Sequence, residues 1–155
     1  MTAGEPVVSS LGPARLPRVL ADAIVAHARA EHPNESCGLV IGTAPVSDGG
    51  DALRYEALRN RAASPVRYEI HPDDLIRVAV AVDDADEVFW GIVHSHVRSA
   101  AVPSPTDVGL AFYPDALYLL VSLADEEADP ESGAPSLRAW RIVDGEVHEV
   151  TLTVS

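Results

Sequence analysis

An uninterrupted apolar run over residues 88–93 leads directly into His94, Ser95 and His96, and this run constrains the fold more than any other feature. A strand that is apolar at every position has to be covered on both faces, as in a sheet flanked by helices. We therefore expect residues 88–96 to form a central strand whose end carries polar side chains.

The rest of the chain predicts helices and further strands around this central one. Apolar residues at helical spacing, with prolines at the boundaries, predict helices at residues 17–31, from 72 onward and at 105–113. Short apolar or alternating runs predict strands at residues 37–41, 53–58, 67–70, 116–123, 137–143 and 146–154. The last two strands join at Asp144-Gly145, a dipeptide typical of a tight hairpin.

The chain is expected to consist of a short lead-in and one domain. Residues 1–15 contain Gly, Pro and Ser without periodicity, which indicates a loose lead-in with one edge strand at residues 7–10. Residues 16–155 suffice for one core, since a domain of about 150 residues buries roughly 70% of its unfolded surface. The predicted class is α/β, a single-domain mixed β-sheet flanked by helices.

Charge and cysteine content exclude several kinds of partner and site. Eleven Lys and Arg against 24 Asp and Glu give a net charge of −13, which disfavours nucleic acid and anionic membranes. The acidic clusters at residues 83–87 and 125–131 are interpreted as solvated, with docking of a basic partner as the alternative. Cys37 is the only cysteine, so an internal disulfide and a multi-thiolate zinc site are excluded. Without a secretory signal or an apolar span of about 20 residues, we expect a cytoplasmic protein.

The histidines at the end of the central strand have the spacing of a pair of metal ligands. Side chains at positions i and i+2 of a strand point to the same face, so His94 and His96 can converge on one point. After seven intervening residues, Ser104 begins a turn into the third helix, and Asp107 lies in the first turn of that helix. Two nitrogens and one carboxylate oxygen are three zinc ligands that leave a fourth position open, as in catalytic sites. Iron or manganese are alternatives for the same donors in vitro.

Hydrolysis at such a site also needs a base and a stabilised oxyanion. Glu35 precedes the strand predicted at residues 37–41 and is the best candidate for the general base, with Glu31 the weaker one. Ser104 is a candidate hydrogen-bond donor to the oxyanion. The Ser104 to Asp107 spacing also fits plain helix capping, and the two interpretations coexist because one aspartate can cap and ligate.

These residues together resemble the JAMM, or MPN-plus, metalloproteases, whose signature is a Glu upstream of His-x-His-x7-Ser-x-x-Asp. The resemblance implies an MPN-type, cytidine-deaminase-like architecture and a Zn²⁺ ion bound by His94, His96 and Asp107. It also implies Glu35 as the general acid and base and Ser104 as the oxyanion stabiliser.

Within that family the chain is similar to small actinobacterial Mec-type peptidases, on the strength of residues 32–38, 83–88, 94–96, 103–107 and 141–145. This similarity implies cleavage after the C-terminal Gly-Gly of a ubiquitin-like sulfur-carrier protein, with release of cysteine or another residue. A non-catalytic MPN-type interaction module with a structural metal is the alternative. A zinc deaminase is disfavoured because it needs a Cys-x-x-Cys motif. The carrier, the released residue and the oligomeric state stay open.

Overall fold

The computed structural model describes residues 12–155, which form a six-stranded mixed sheet with helices on both faces and a small two-stranded sheet. The strands are β1 (Ala14–Leu16), β2 (Cys37–Gly42), β3 (Ala52–Leu58), β4 (Val88–His96), β5 (Leu117–Ser122), β6 (Ser136–Val143), β7 (Glu146–Val150) and β8 (Leu152–Val154). The helices are α1 (Arg18–Glu31), α2 (Pro72–Asp84) and α3 (Pro105–Gly109). The strand predicted at residues 7–10 lies outside the described residues, and β1 includes two residues of the predicted lead-in.

Strand β4 lies in the interior of a six-stranded sheet of order β3-β2-β4-β5-β6-β7. It pairs antiparallel with β2 and parallel with β5, and every other pairing in this sheet is antiparallel. The predicted central strand and the mixed α/β fold are therefore confirmed. Asp144 and Gly145 both have positive φ and join β6 to β7, as the hairpin prediction requires.

Each face of the sheet carries its own apolar core. On one face Ile24 of α1 packs with Val93 and Leu119, and on the other Val78 of α2 packs with Ile92 and Leu120. Because both faces are covered, the apolar run of β4 is buried on both sides, which leaves polar groups only at its end.

A β-bulge in β4 changes which side chains share a face. The register with β2 shifts between Val40↔Gly91 and Ile41↔Phe89, so Trp90 is the extra residue. Simple alternation would place Trp90 on the histidine face with Ile92. Instead the Trp90 side chain packs with the α1 core, and its indole Nε1 donates to the Gly50 carbonyl at 3.0 Å.

Three predicted elements differ from the structure. Residues 67–70 form no strand beyond an isolated bridge between Asn60 and Ile70, because this part of the chain hydrogen-bonds within its own loop. Helix α3 ends at Gly109, a poor helix former, rather than at residue 113. The strand predicted at residues 146–154 divides at Thr151, because β8 leaves the large sheet and pairs in parallel with β1.

Among residues 12–155, none of the helices combines the length and apolar character needed to cross a membrane.

The start of α2 is held by a carboxylate that faces the chain after β3. Asp74 accepts hydrogen bonds from the Arg59 guanidinium at 2.9 and 3.0 Å and from the Arg59 backbone N–H at 3.3 Å. The guanidinium, helped by the backbone N–H, lowers the pKa of Asp74 to about 2. Asp73, its neighbour in the first turn, is exposed.

Asp74→Asn is expected to lower the free energy of unfolding at pH 7 more than Asp73→Asn does. Both variants remove one carboxylate from the first turn of α2, so the loss of helix-dipole stabilisation is common to them. Because the pKa of Asp74 is lower in the folded state, its carboxylate stabilises the fold at pH values above 3.8, the ordinary pKa. This stabilisation is lost as the pH falls toward 2, so the difference in stability between the two variants should shrink on acidification. Urea unfolding at pH 7 and pH 3 measures this, and equal stabilities at pH 7 would contradict it.

Candidate metal centre

The end of β4 brings two buried imidazoles together. His94 and His96 lie on the same face of the strand, with their Nε2 atoms 3.3 Å apart. Only 1% of His94 and 6% of His96 is exposed. The pairing that the i and i+2 spacing predicts is thus present in the structure.

Helix α3 directs the Asp107 carboxylate toward both imidazoles. Asp107 Oδ1 lies 3.2 Å from His94 Nε2, and Oδ2 lies 3.1 Å from His96 Nε2. Ser104 caps the helix: its Oγ accepts from the Asp107 N–H at 3.1 Å, and its own N–H donates to Asp107 Oδ2 at 2.8 Å. One carboxylate therefore takes part in a capping box and meets both histidines, so the capping and the ligand geometries coexist.

The spacing of these donor atoms fits a small tetrahedral cation. In a tetrahedral zinc site with ligand distances near 2.0–2.1 Å, neighbouring ligand atoms are about 3.3 Å apart. The contacts among the two Nε2 atoms and the Asp107 oxygens span 3.1–3.3 Å. A group of three ligands of this kind leaves one tetrahedral position to a non-protein ligand.

The pKa shifts of Asp107 and His94 favour a bound cation as well. Burial raises the pKa of Asp107, but hydrogen bonds from both histidines outweigh burial and hold that pKa well below its usual value. Burial lowers the pKa of His94. For His96, burial lowers the pKa, but the hydrogen bonds to Asp107 and to the Ala100 carbonyl outweigh it, and the net shift is upward. The result is an ionised carboxylate against a neutral imidazole at His94.

The other ring nitrogen of each histidine has a different environment. His96 Nδ1 donates to the Ala100 carbonyl at 2.7 Å, so Nε2 is the ring nitrogen that faces Asp107 and could ligate a metal. His94 Nδ1 is buried and has no hydrogen-bond partner among the described residues. Instead, the His94 ring stacks on the Tyr68 ring, with centroids 4.3 Å apart and planes inclined by 22°.

Glu35 lies beside this cluster because Ser95 ties the start of β2 to the end of β4. The Ser36 N–H donates to Ser95 Oγ at 2.8 Å, and the Ser95 N–H donates to the Ser36 carbonyl at 3.1 Å. Burial raises the pKa of Glu35 to about 7, although the His96 charge lowers it; only 4% of the residue is exposed. Its Oε1 is buried without a hydrogen-bond partner in the described chain. A carboxyl group in this state can accept and return a proton near neutral pH.

Glu31, the weaker candidate for the base, has a different position. Its side chain is half exposed near the end of α1 and lies 3.7 Å from His27 Nε2. Glu35 is thus the glutamate beside the cluster.

A cavity of about 320 Å³ opens in front of the cluster. Glu35, His96 and Ser104 line it together with two short segments of chain, Pro65–Val66 and Val97–Ser99. The Ser104 Oγ accepts from a backbone N–H and keeps its own O–H as a donor.

Sequence reasoning missed the residues that support this cluster: Ser95, Tyr68 and Asn60. Ser95 was visible only as the residue between two histidines, and its bond to Ser36 depends on the register of β2 against β4. Tyr68 was assigned to a strand that does not form. No pattern in a single sequence indicates that Tyr68 stacks on His94 at the end of β4.

The chain is similar to several known proteins in sequence and in fold. The family model described as prokaryotic homologs of the JAB domain matches residues 17–143. The CysO-cysteine peptidase of Mycobacterium tuberculosis is 42% identical over 136 residues, which cover 87% of this chain and 86% of that protein. A desampylase from Haloferax volcanii is 35% identical over 106 residues, 65% of this chain and 74% of that protein. A JAB1/MPN domain protein from Archaeoglobus fulgidus has a similar fold, with a TM-score of 0.52 at 19% identity over 90% of this chain and 99% of that one.

The cluster is expected to bind about one Zn²⁺ per chain. Asp107→Asn and His96→Ala should each weaken zinc binding by at least tenfold, because each removes one of the three ligands that the described residues supply. Competition with a chromophoric chelator measures the affinity. His148→Gln, a histidine on β7, is the control and should bind zinc like the wild type. Equal affinity of all four proteins would contradict the site.

Proposed function

Because this chain belongs to the family of prokaryotic homologs of the JAB domain and is a peptidase, we propose that it cleaves a small ubiquitin-like sulfur-carrier protein in a zinc-dependent reaction. The bond cleaved is the one after the carrier's C-terminal Gly-Gly. Cysteine or another C-terminal residue is released. The relatives that support this substrate class are the proteins named CysO-cysteine peptidase and desampylase.

His94, His96 and Asp107 would hold the ion. When bound, zinc supplies a Lewis acid for the scissile carbonyl and lowers the pKa of water toward 7. The donor set supports this role rather than a purely structural one, because structural zinc sites are closed by four protein ligands and residues 12–155 supply three to this cluster.

Glu35 carries the proton in the proposed reaction. Its carboxylate accepts a proton from the attacking water, whose oxygen bonds to the carbonyl carbon. The C–N bond then breaks, and Glu35 returns the proton to the leaving amine. The single observation that carries this role is the buried, unpartnered Glu35 Oε1 beside the ligand cluster, with a pKa of about 7.

Ser104 stabilises the charge that develops on the substrate oxygen. Its position at the N-terminus of α3 puts a hydroxyl donor at the wall of the cavity, next to the metal ligands. Because its Oγ also accepts from the Asp107 N–H, the same residue orients a ligand and donates to the oxyanion.

The cavity supports an extended, side-chain-free tail as the substrate. Its volume of about 320 Å³ is bounded by Pro65 and Val66 and by the chain after His96. A Gly-Gly segment has no side chains to collide with such walls, which allows its carbonyl to approach the cluster.

Glu35→Gln is expected to lower kcat/KM by about 10²–10⁴-fold, because the amide has no basic oxygen for the proton transfer. Zinc content should be unchanged, since Glu35 is not a ligand. Glu31→Gln is the matched control and should retain activity. The substrate is a sulfur-carrier protein extended by one residue after Gly-Gly, with cleavage followed by mass spectrometry. Turnover at the wild-type rate in Glu35→Gln would refute the proton-carrier role.

A second experiment tests whether the enzyme selects for Gly-Gly at the C-terminus of the carrier protein. Carriers that end in Gly-Gly-Cys should be cleaved after the second glycine, and replacing Gly-Gly by Val-Val should reduce kcat/KM by at least tenfold for steric reasons. The mass of the released residue identifies the scissile bond. Equal cleavage of both tails would show that the enzyme does not select for glycine.

A further inference from the structure

His94 lacks the hydrogen bond that usually orients a metal-binding imidazole. Ligating histidines generally donate their second ring N–H to a carboxylate, carbonyl or water, which fixes the ring. His96 follows this rule through Ala100, but His94 Nδ1 is fully buried and has no hydrogen-bond partner within residues 12–155. Because only the Nε2 side of the His94 ring has a polar contact in the described part of the chain, to Asp107 at 3.2 Å, packing against the ring has to contribute to its orientation.

The one aromatic ring stacked on His94 belongs to Tyr68. The two rings are stacked, with a centroid distance of 4.3 Å and planes inclined by 22°, so each ring covers a face of the other. Tyr68 is half-buried and is part of residues 59–71, the chain between β3 and α2, called the 59–71 segment below.

Asn60 fixes the fold of the 59–71 segment. Its Oδ1 accepts from the N–H groups of Ala62 and Glu69, each at 3.0 Å. Its Nδ2 donates to the Arg67 carbonyl at 3.1 Å and to the Glu35 carbonyl at 3.0 Å. All the hydrogen-bonding capacity of the amide is thus used. Two of these bonds bracket Tyr68 in the sequence.

The same segment also holds the backbone of Glu35 from both sides. The Glu35 N–H donates to the Ser64 carbonyl at 2.8 Å, and the Glu35 carbonyl accepts from Asn60. The position of the Tyr68 ring is therefore tied to the position of Glu35 through one loop.

We propose that Tyr68 is a positioning residue for His94: its ring, held by Asn60 in the 59–71 segment, helps to orient an imidazole whose Nδ1 has no hydrogen-bond partner among residues 12–155. The inference rests on the proposed function for the identity of the metal. Tyr68 acts through His94 and does not take part in proton transfer. What is required of Tyr68 is a flat ring, and the hydroxyl is dispensable for this purpose.

The test compares Tyr68→Leu and Tyr68→Phe. The leucine variant should bind zinc about 10–100-fold more weakly than the wild type, the range typical for loss of a residue that orients a ligand. The phenylalanine variant keeps the ring and should stay within twofold. Arg67→Ala, whose exposed side chain lies next to Tyr68 in the segment, is the control and should also stay within twofold. Chelator competition measures the affinities.

Cobalt substitution provides a readout that a general loss of stability would not move. The visible spectrum of Co²⁺ reports the geometry of its ligands, so the Tyr68→Leu bands should shift while those of Tyr68→Phe match the wild type. Should Tyr68→Leu fail to fold, Tyr68→Met keeps the bulk without the planar ring and carries the same expectation. Wild-type zinc affinity and an unchanged cobalt spectrum in the non-aromatic variant would overturn the proposal. Failure of the wild type to bind zinc would instead refute the proposed function.

Discussion

The contact of one ionised carboxylate with two buried imidazoles is the interaction on which this site depends. Asp107 keeps its charge against burial because His94, His96 and the Ser104 N–H all face it. The contact requires that a strand buried on both faces end in two same-side histidines, and that a helix begin directly opposite. The position of β4 in the sheet and the capping of α3 thus together place the Asp107 carboxylate against the two imidazoles.

The chain after β3 supports this cluster through direct contacts. The 59–71 segment holds Glu35 by its backbone and places Tyr68 against His94, while Ser95 ties the beginning of β2 to the end of β4. Burial raises the pKa of the Glu35 carboxyl group to about 7, the range where it can exchange protons near neutral pH. The 59–71 segment, which has no regular secondary structure, therefore holds the backbone of Glu35 beside the ligand cluster.

The sequence predicted the central strand, the mixed sheet and the convergence of the histidines with Asp107, because each follows from local patterns: an apolar run, an i and i+2 spacing and a capped helix start. Contacts that depend on the pairing of strands far apart in the sequence could not be predicted from these local patterns. The bulge at Trp90 depends on β2, the departure of β8 depends on β1 at the other end of the domain, and residues 67–70 look like a strand but satisfy their hydrogen bonds through Asn60. The roles of Glu35 and Ser104 stay predictions.

Anomalous diffraction at the zinc edge, on crystals of the zinc-loaded protein, tests the central claim most directly. We expect one peak about 2.0–2.1 Å from His94 Nε2, His96 Nε2 and an Asp107 oxygen, with the fourth position taken by water. A peak elsewhere, or a fourth ligand supplied by the protein itself, would contradict a catalytic metal centre at the end of β4.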